Sequence, residues 1–158
     1  MIHPQDVPKT KVEIKDLKCY IVPRGKDGRK AREQIRGILE KWHYIRRFDW
    51  FGRKLYLLWY DNNPDDVVGL VIFTNPFALY LPDREKWIGW TNKQRLKNLH
   101  RNVADEVRFF ILPHIGIKNL ASQILAKSCK IARKIWKERY GDNLVLITCF
   151  ITPEFYYG

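Results

Sequence analysis

The sequence has no apolar run close to the roughly 20 residues that a membrane-spanning helix requires. Its N-terminal stretch, MIHPQDVPKTKVEIKD, also lacks the hydrophobic segment of a signal peptide. We therefore expect a cytoplasmic protein with no membrane partner. No internal repeat or low-complexity tract occurs, and 158 residues suffice for one domain with a buried core. We predict a single domain with a polar leader at 1–17, a sheet-and-helix core at 18–151 and a tail at 152–158.

Cysteine is scarce. Cys19, Cys129 and Cys149 lie far apart and form no C-x-x-C pair, and both Cys129 and Cys149 have apolar neighbours. This usage is typical of buried thiols in a reducing compartment rather than of a disulfide framework.

Recognisable catalytic and metal-binding motifs are also absent. His100 and His114 show no ligand spacing, so we expect no metal site. No nucleophile stands with a general base in a known pattern, and the H-x-E and P-C-x-x-C signature of zinc deaminases does not occur. The sequence therefore excludes a zinc-dependent deaminase and leaves any catalytic role to residues without a motif.

Acidic residues are too few to balance the basic ones. Lys and Arg number 29 against 17 Asp and Glu, which gives a formal net charge of +12 and a pI near 9.7. Such a balance is typical of a nucleic-acid-binding domain, because the partner of a strongly basic surface is a polyanion. Phosphate-bearing ligands such as nucleotides or CoA would suit the charge too, and a charge-rich surface that serves only solubility is the remaining alternative.

The hydrophobic pattern predicts a mixed α/β fold. Strands are predicted at 18–23, in the two apolar runs that flank the turn DNNPDD, at 107–112 and at 144–151. Helices are predicted at 31–45, in NKQRLKNLHRN, and in a long segment from Leu120 that ends at Gly141. We interpret the aromatic segment NPFALYLPDREKWIGW between them as irregular.

The long helix carries two different faces. Its apolar residues recur at spacings of three and four, which favours packing on a sheet. A row of cations runs down another side, at Lys127, Lys130, Lys134 and Lys137, with Arg133 beside it. Such a row is either a solvated face or a surface that follows phosphates.

A few residues are candidates for chemistry or stacking. His43 and Tyr44, at a predicted helix end, and Ser122, near a helix start, are candidate catalytic residues, because imidazole suits a general base near neutral pH and a serine can contact a phosphate. Each also suits an ordinary structural role. Several tryptophans are able to stack on unpaired bases, namely Trp50, Trp59, Trp87 and Trp90, although Trp59 alternates into a strand and is expected in the core.

Two segments carry a family resemblance. WIGWTNKQRLKNLHRNVADEVRFFILPHIGIKNLASQIL, at 87–125, is followed by RYGDNLVLITCFITPEFYYG, and WHYI at 42–45 lies upstream. The order I-G-W, N-L, a strand ending in I-L-P, N-L-A-S and R-Y-G resembles the family of the Druantia anti-phage protein DruA. Members of that family continue through a further helix and two strands, so the chain is expected to be C-terminally shortened.

The resemblance implies a GNAT-like mixed sheet flanked by helices. In that arrangement a central strand at 107–112 would lead into a pyrophosphate-binding loop at 113–119, with His114, Gly116, Lys118 and Asn119 as cofactor-binding residues and acetyl-CoA or another acyl-CoA as the cofactor. Of the Q/R-x-x-G-x-G/A loop of ordinary GNAT enzymes, only Gly116 agrees, since Pro113 takes the first position and Lys118 the last.

Two functions follow as expectations. The first is a nucleic-acid-binding module of the defence or mobile-element type; its candidate contacts are Arg46, Arg47, Lys93, Arg95, Lys97, Arg101, Lys127, Lys130 and Lys134. The second is an acyltransferase, acting on a nucleobase or another acceptor, that uses the loop for its donor.

The last predicted strand also points to a partner. LVLITCFI has no lysine or proline to blunt an exposed sheet edge. We therefore expect a homodimer, or a second chain that completes the sheet, unless residues 18–23 cover that edge.

Overall fold

The computed structural model describes residues 17–43, 52–62 and 66–150. Ten elements follow one another along the chain, with a 3-10 turn at Lys26–Gly28 before the first helix. They are β1 (Lys18–Ile21), α1 (Arg29–Trp42), β2 (Lys54–Tyr60), β3 (Val67–Thr74), α2 (Pro82–Ile88), α3 (Asn92–Asn102), β4 (Val103–Ile111), α4 (Leu120–Tyr140) and β5 (Leu146–Cys149).

The five strands form one mixed sheet in the order β1-β2-β3-β4-β5. The first four strands pair antiparallel, whereas β5 pairs parallel to β4. A parallel pair needs a long crossover, and α4 supplies it. The predicted mixed α/β class is confirmed, as is the hairpin of β2 and β3 around DNNPDD, of which residues 63–65 lie outside the described part.

Two apolar cores lie on the two faces of this sheet. On one face, α4 packs Leu120, Ile124 and Trp136 against β2 and β3. On the other face, α1 packs Ile35 and Leu39 against alternate residues of the same strands. Every residue of β3 is buried, and this covering of both faces explains why β2 and β3 have nearly continuous apolar sequences.

Three boundaries differ from the predictions. The segment predicted as irregular contains α2, which starts with Pro82 at its first position, a place where the missing N–H costs nothing, and ends at Gly89 with φ 74°. Strand β4 starts at Val103, earlier than predicted, because its first residues pair with β5. Helix α1 ends at Trp42, and the rest of its predicted span lies outside the described residues.

The two edges of the sheet are β1 and β5. Residues 18–23 were the alternative cover for the β5 edge, and that alternative is wrong, because β1 pairs with β2 at the opposite edge. The prediction that all three cysteines are buried is also wrong for Cys149, which is exposed at the end of β5, whereas Cys19 and Cys129 are half-buried. Within the described part of the chain, no helix is both long and apolar enough to cross a bilayer.

Candidate functional site

The exposed side of α4 carries the densest positive charge among the described elements. The helix holds six lysines and arginines and one glutamate. Five of the cations are exposed along one side, and we call them the basic face: Lys127, Lys130, Arg133, Lys134 and Lys137. The apolar stripe of the same helix lies on the sheet, so packing of that stripe turns the cations to solvent.

The basic face keeps most of its charge. Its one ion pair among the described residues joins Lys134 Nζ to Glu138 Oε1 at 3.8 Å, with both side chains more than half exposed. Exposed pairs at this distance hold their partners weakly. The sixth cation, Arg139, instead donates to the backbone oxygen of Val22 at 3.1 Å.

Beyond the C-terminal end of α4, two arginines share one carboxylate. Arg53 Nη2 lies 2.6 Å from Asp142 Oδ2, and Arg101 Nε lies 3.0 Å from Asp142 Oδ1. The hydrogen bond from Arg53 is the main cause that lowers the pKa of Asp142. Arg101, a predicted nucleic-acid contact, is therefore partly neutralised.

Helix α3 adds a second basic surface. It contains four cations and no carboxylate, and it starts with a capping box in which Thr91 and Gln94 bond reciprocally. Lys93 and Lys97 are exposed, whereas Arg95 donates to the backbone oxygen of Leu79 at 2.6 Å. The end of α3 meets the end of α4, because Trp136 Nε1 donates to the Arg101 oxygen at 2.9 Å. Predicted contacts Arg46 and Arg47 lie outside the described residues.

The candidate catalytic residues do not lie together. His43 follows the end of α1, is buried, and sets its ring edge against Phe110 with centroids 5.8 Å apart. Ser122 is exposed in the first turn of α4, on the other face of the sheet. The sheet separates these two side chains, and Tyr44 lies outside the described residues.

The β4–α4 junction is anchored by apolar contacts. Ile115 and Ile117 pack on the core under α4, so exposed Gly116 lies between two anchored residues, and His114 is half-buried beside them. Lys118 and Asn119 are exposed. The positive φ of this bend, 61°, falls at Asn119, and Gly116 is not among the described residues with positive φ.

Sequence reasoning missed a cavity at the β5 edge. It has a volume of about 370 Å³ and lies between α2 and β5. We call it the edge cavity; its lining residues are Leu81, Pro82, Asp83, Arg84, Trp87, Leu146, Ile147, Thr148 and Cys149. Trp87, which was singled out for stacking, is 74% exposed, whereas Trp59 is buried in the core as predicted.

Buried charged groups surround this cavity. Arg84 donates from Nη2 to the Ala78 oxygen at 3.0 Å and to Glu85 Oε1 at 2.8 Å. Asp105 is fully buried and accepts the Phe77 N–H at 3.0 Å. Burial raises the pKa of Asp105, while the Phe77 N–H and the charge of Arg84 act to lower it.

Four buried atoms of this cluster lack a hydrogen-bond partner in the described structure. They are Arg84 Nη1, Glu85 Oε2, Asp105 Oδ1 and Thr148 Oγ1. A buried polar group left unpaired costs roughly 1–3 kcal/mol. Such a concentration of unpaired groups is unusual in a folded protein and requires an explanation.

The opposite face of the same strand pair carries a second titratable cluster. Glu106 lies opposite Cys149 in the β4–β5 register, and burial raises the pKa of Glu106 to about 7. Partial burial and the Glu106 carboxylate raise the pKa of the Cys149 thiol to about 12. A thiol with this pKa stays protonated near neutral pH and is a poor nucleophile.

Among the described residues, no group of three or more His, Cys, Asp or Glu side chains is placed to hold a metal ion. The edge cavity was missed because Arg84 lies in the segment predicted as irregular, and because Asp105 precedes the predicted start of β4. A carboxylate and an arginine within three residues of Trp87 were the available signal.

The comparisons with known proteins returned one match. The family model for the Druantia protein DruA matches residues 12–155. No curated protein matches the sequence, and no solved structure matches the chain. The likeness to GNAT enzymes therefore stays a prediction.

Proposed function

Because the chain belongs to the Druantia protein DruA family, which suggests a role in anti-phage defence, we propose that it binds nucleic acid through backbone phosphates. The observation that carries this proposal is the basic face of α4. Its five exposed cations stand beside a single exposed carboxylate. A surface of this kind attracts phosphates and releases their counterions, which is the main source of sequence-independent affinity.

The length of the basic face fits a nucleic-acid strand. Lys127 and Lys137 are ten residues apart on one helix, which corresponds to a span of about 15 Å. A duplex presents a phosphate about every 3.4 Å along each strand, so the face covers about four phosphates of one strand. The contacts are to the backbone, so the interface binds many sequences with similar affinity.

Lysine footprinting tests the interface. The protein is treated with an amine-acetylating reagent with and without a 20-base-pair duplex, and modification is read by mass spectrometry. We expect protection of Lys127, Lys130, Lys134 and Lys137. The exposed lysines Lys18, Lys26 and Lys30 lie outside α4 and are the matched controls. Equal protection of both groups, or of neither, would contradict the proposed interface.

A second candidate function rests on the β4–α4–β5 connection. Because β4 and β5 are parallel neighbours, the junction at 113–119 lies at the carboxyl end of β4, where open α/β sheets bind ligands. The first turn of α4 contains no acidic residue. We propose that this junction is the place at which an acyl-CoA pyrophosphate would bind.

Thermal shift with acetyl-CoA tests this second candidate. Ligand that binds only the folded state raises the wild-type Tm. Gly116→Val should abolish this rise and leave the ligand-free Tm close to that of the wild type. Lys118→Ala should weaken it. No shift in the wild type, or a Gly116→Val variant that loses stability and keeps binding, would refute it.

A further inference from the structure

The edge cavity combines a flat aromatic wall with unpaired polar groups. Its volume of about 370 Å³ lies at the lower end of the range of small-molecule sites. Leu81, Leu146 and Ile147 supply apolar surface, and most of the Trp87 indole is exposed. Small-molecule sites typically have this composition, in which a mostly apolar wall holds a few placed polar groups.

The polar groups exclude a simple anion as the ligand. The Arg84 guanidinium is already paired with Glu85 at 2.8 Å. Asp83 lines the cavity and Asp105 lies within reach of the Arg84 charge. Three carboxylates therefore stand against one guanidinium, and a phosphate or carboxylate entering the cavity would be repelled.

The same groups call for a ligand that both donates and accepts hydrogen bonds. Arg84 Nη1 is an unpaired donor, Asp105 Oδ1 and Glu85 Oε2 are unpaired acceptors, and the Thr148 hydroxyl is able to do either. Arg84 is 94% buried, since only 6% of its surface is exposed. Thr148 lies directly opposite Asp105 in the strand register, so the two side chains point to the same face.

We propose that the edge cavity binds a nucleobase, with Trp87 stacked on the ring and the Arg84–Asp105–Thr148 group paired with its edge. Bases are planar and neutral, and each carries adjacent donors and acceptors on one edge. Base–aromatic stacking is the usual way in which proteins hold an unpaired base. In a nucleic-acid strand this cavity rests on the proposed function, because phosphates must be held nearby.

The backbone of such a strand has a place beside the cavity. Arg95 of α3 donates to the Leu79 oxygen and lies over the Tyr80 ring at 5.3 Å. Leu79 and Tyr80 lead directly into Leu81 of the cavity wall. Exposed Lys93 and Lys97 of the same helix therefore supply cations close to a base held in the cavity.

Two measurements test the proposal. Binding of adenosine, guanosine, cytidine and thymidine is measured by saturation-transfer NMR and calorimetry. A single-stranded oligonucleotide with one 2-aminopurine is then titrated, because stacking on an indole quenches its fluorescence. Trp87→Ala should raise the Kd of the preferred nucleoside by about 5- to 150-fold, the range found for loss of base–aromatic stacking.

Two further variants guard against a folding artefact. Tyr20→Ala removes an exposed aromatic side chain from β1, at the opposite edge of the sheet, and should leave nucleoside binding unchanged. Thr148→Val keeps the shape of the side chain and removes its hydroxyl; it should change the order of preference among the four nucleosides.

Each outcome decides between the sources of the base. Binding of nucleosides without binding of oligonucleotides would support the cavity as a site for free nucleosides or nucleotides and would remove the nucleic-acid proposal. Oligonucleotide binding with no nucleoside binding and no 2-aminopurine quenching would overturn the cavity proposal alone. A Trp87→Ala variant that binds nucleosides as tightly as the wild type would overturn it too.

Discussion

Replacing part of the basic face should weaken nucleic-acid binding and reduce its dependence on salt. The triple variant Lys127→Gln, Lys130→Gln and Lys134→Gln removes three of the five exposed cations of α4. All three side chains are exposed, and exposed substitutions away from buried contacts usually change stability by less than about 0.5 kcal/mol. The variant should therefore fold normally and differ from the wild type in binding.

The structure gives the size of the effect. If each of the five cations neutralises one phosphate, log K falls with log salt at a slope of about −4.5 on duplex DNA, and the triple variant retains a slope of about −1.8. Raising the salt from about 50 mM to about 200 mM then weakens wild-type binding about 500-fold and variant binding about 12-fold.

Fluorescence anisotropy of a labelled duplex at several salt concentrations measures both slopes. A control variant of equal charge change, Lys18→Gln, Lys26→Gln and Lys30→Gln, separates the position of the cations from the net charge. The control should retain nearly the wild-type slope. A control that loses as much slope as the α4 variant would refute the assignment of binding to the basic face.

Three other predictions concern the fold. Ser128→Ala should lower the free energy of unfolding by about 1–3 kcal/mol in urea titrations, because the buried Trp59 Nε1–H loses its acceptor at 2.8 Å; a loss below about 0.5 kcal/mol would contradict this. Burial raises the pKa of Glu106 to about 7, so the folded state binds a proton more tightly than the unfolded chain, and the free energy of unfolding should fall as pH rises from about 4.5 to about 7. Glu106→Gln should flatten that pH dependence, and an unchanged slope would show that another group causes it. Because β5 is an edge strand, sedimentation should show dimers that grow with concentration, and a monomer at high concentration would exclude pairing through this edge.

The sequence predicted the elements whose pattern is set by burial. The apolar runs of β2 and β3 and the stripe of α4 bury their residues as expected, because strong hydrophobic periodicity leaves few alternative folds. Helix α2 was not predictable in the same way, since its seven residues bury Arg84 rather than an apolar stripe. Tertiary contacts decide the structure of such a short segment.

The candidate sites divide along the same line. The basic face was visible in the sequence, because cations at helical spacing lie on one side wherever the apolar stripe is buried. The edge cavity was not visible, because Asp105 and Thr148 become neighbours only through the parallel register of β4 and β5. Strand register between distant segments is set by the whole sheet and not by local sequence.

The salt dependence of wild-type binding tests the central claim most directly. A labelled duplex and a labelled single strand are titrated with the unmodified protein from about 50 mM to about 200 mM salt. We predict binding of both at low salt, with a log–log slope near −4.5 for the duplex and a shallower slope for the single strand. Absence of binding at the lowest salt, or binding that does not change with salt, would contradict the claim that this protein holds nucleic acid by its phosphates.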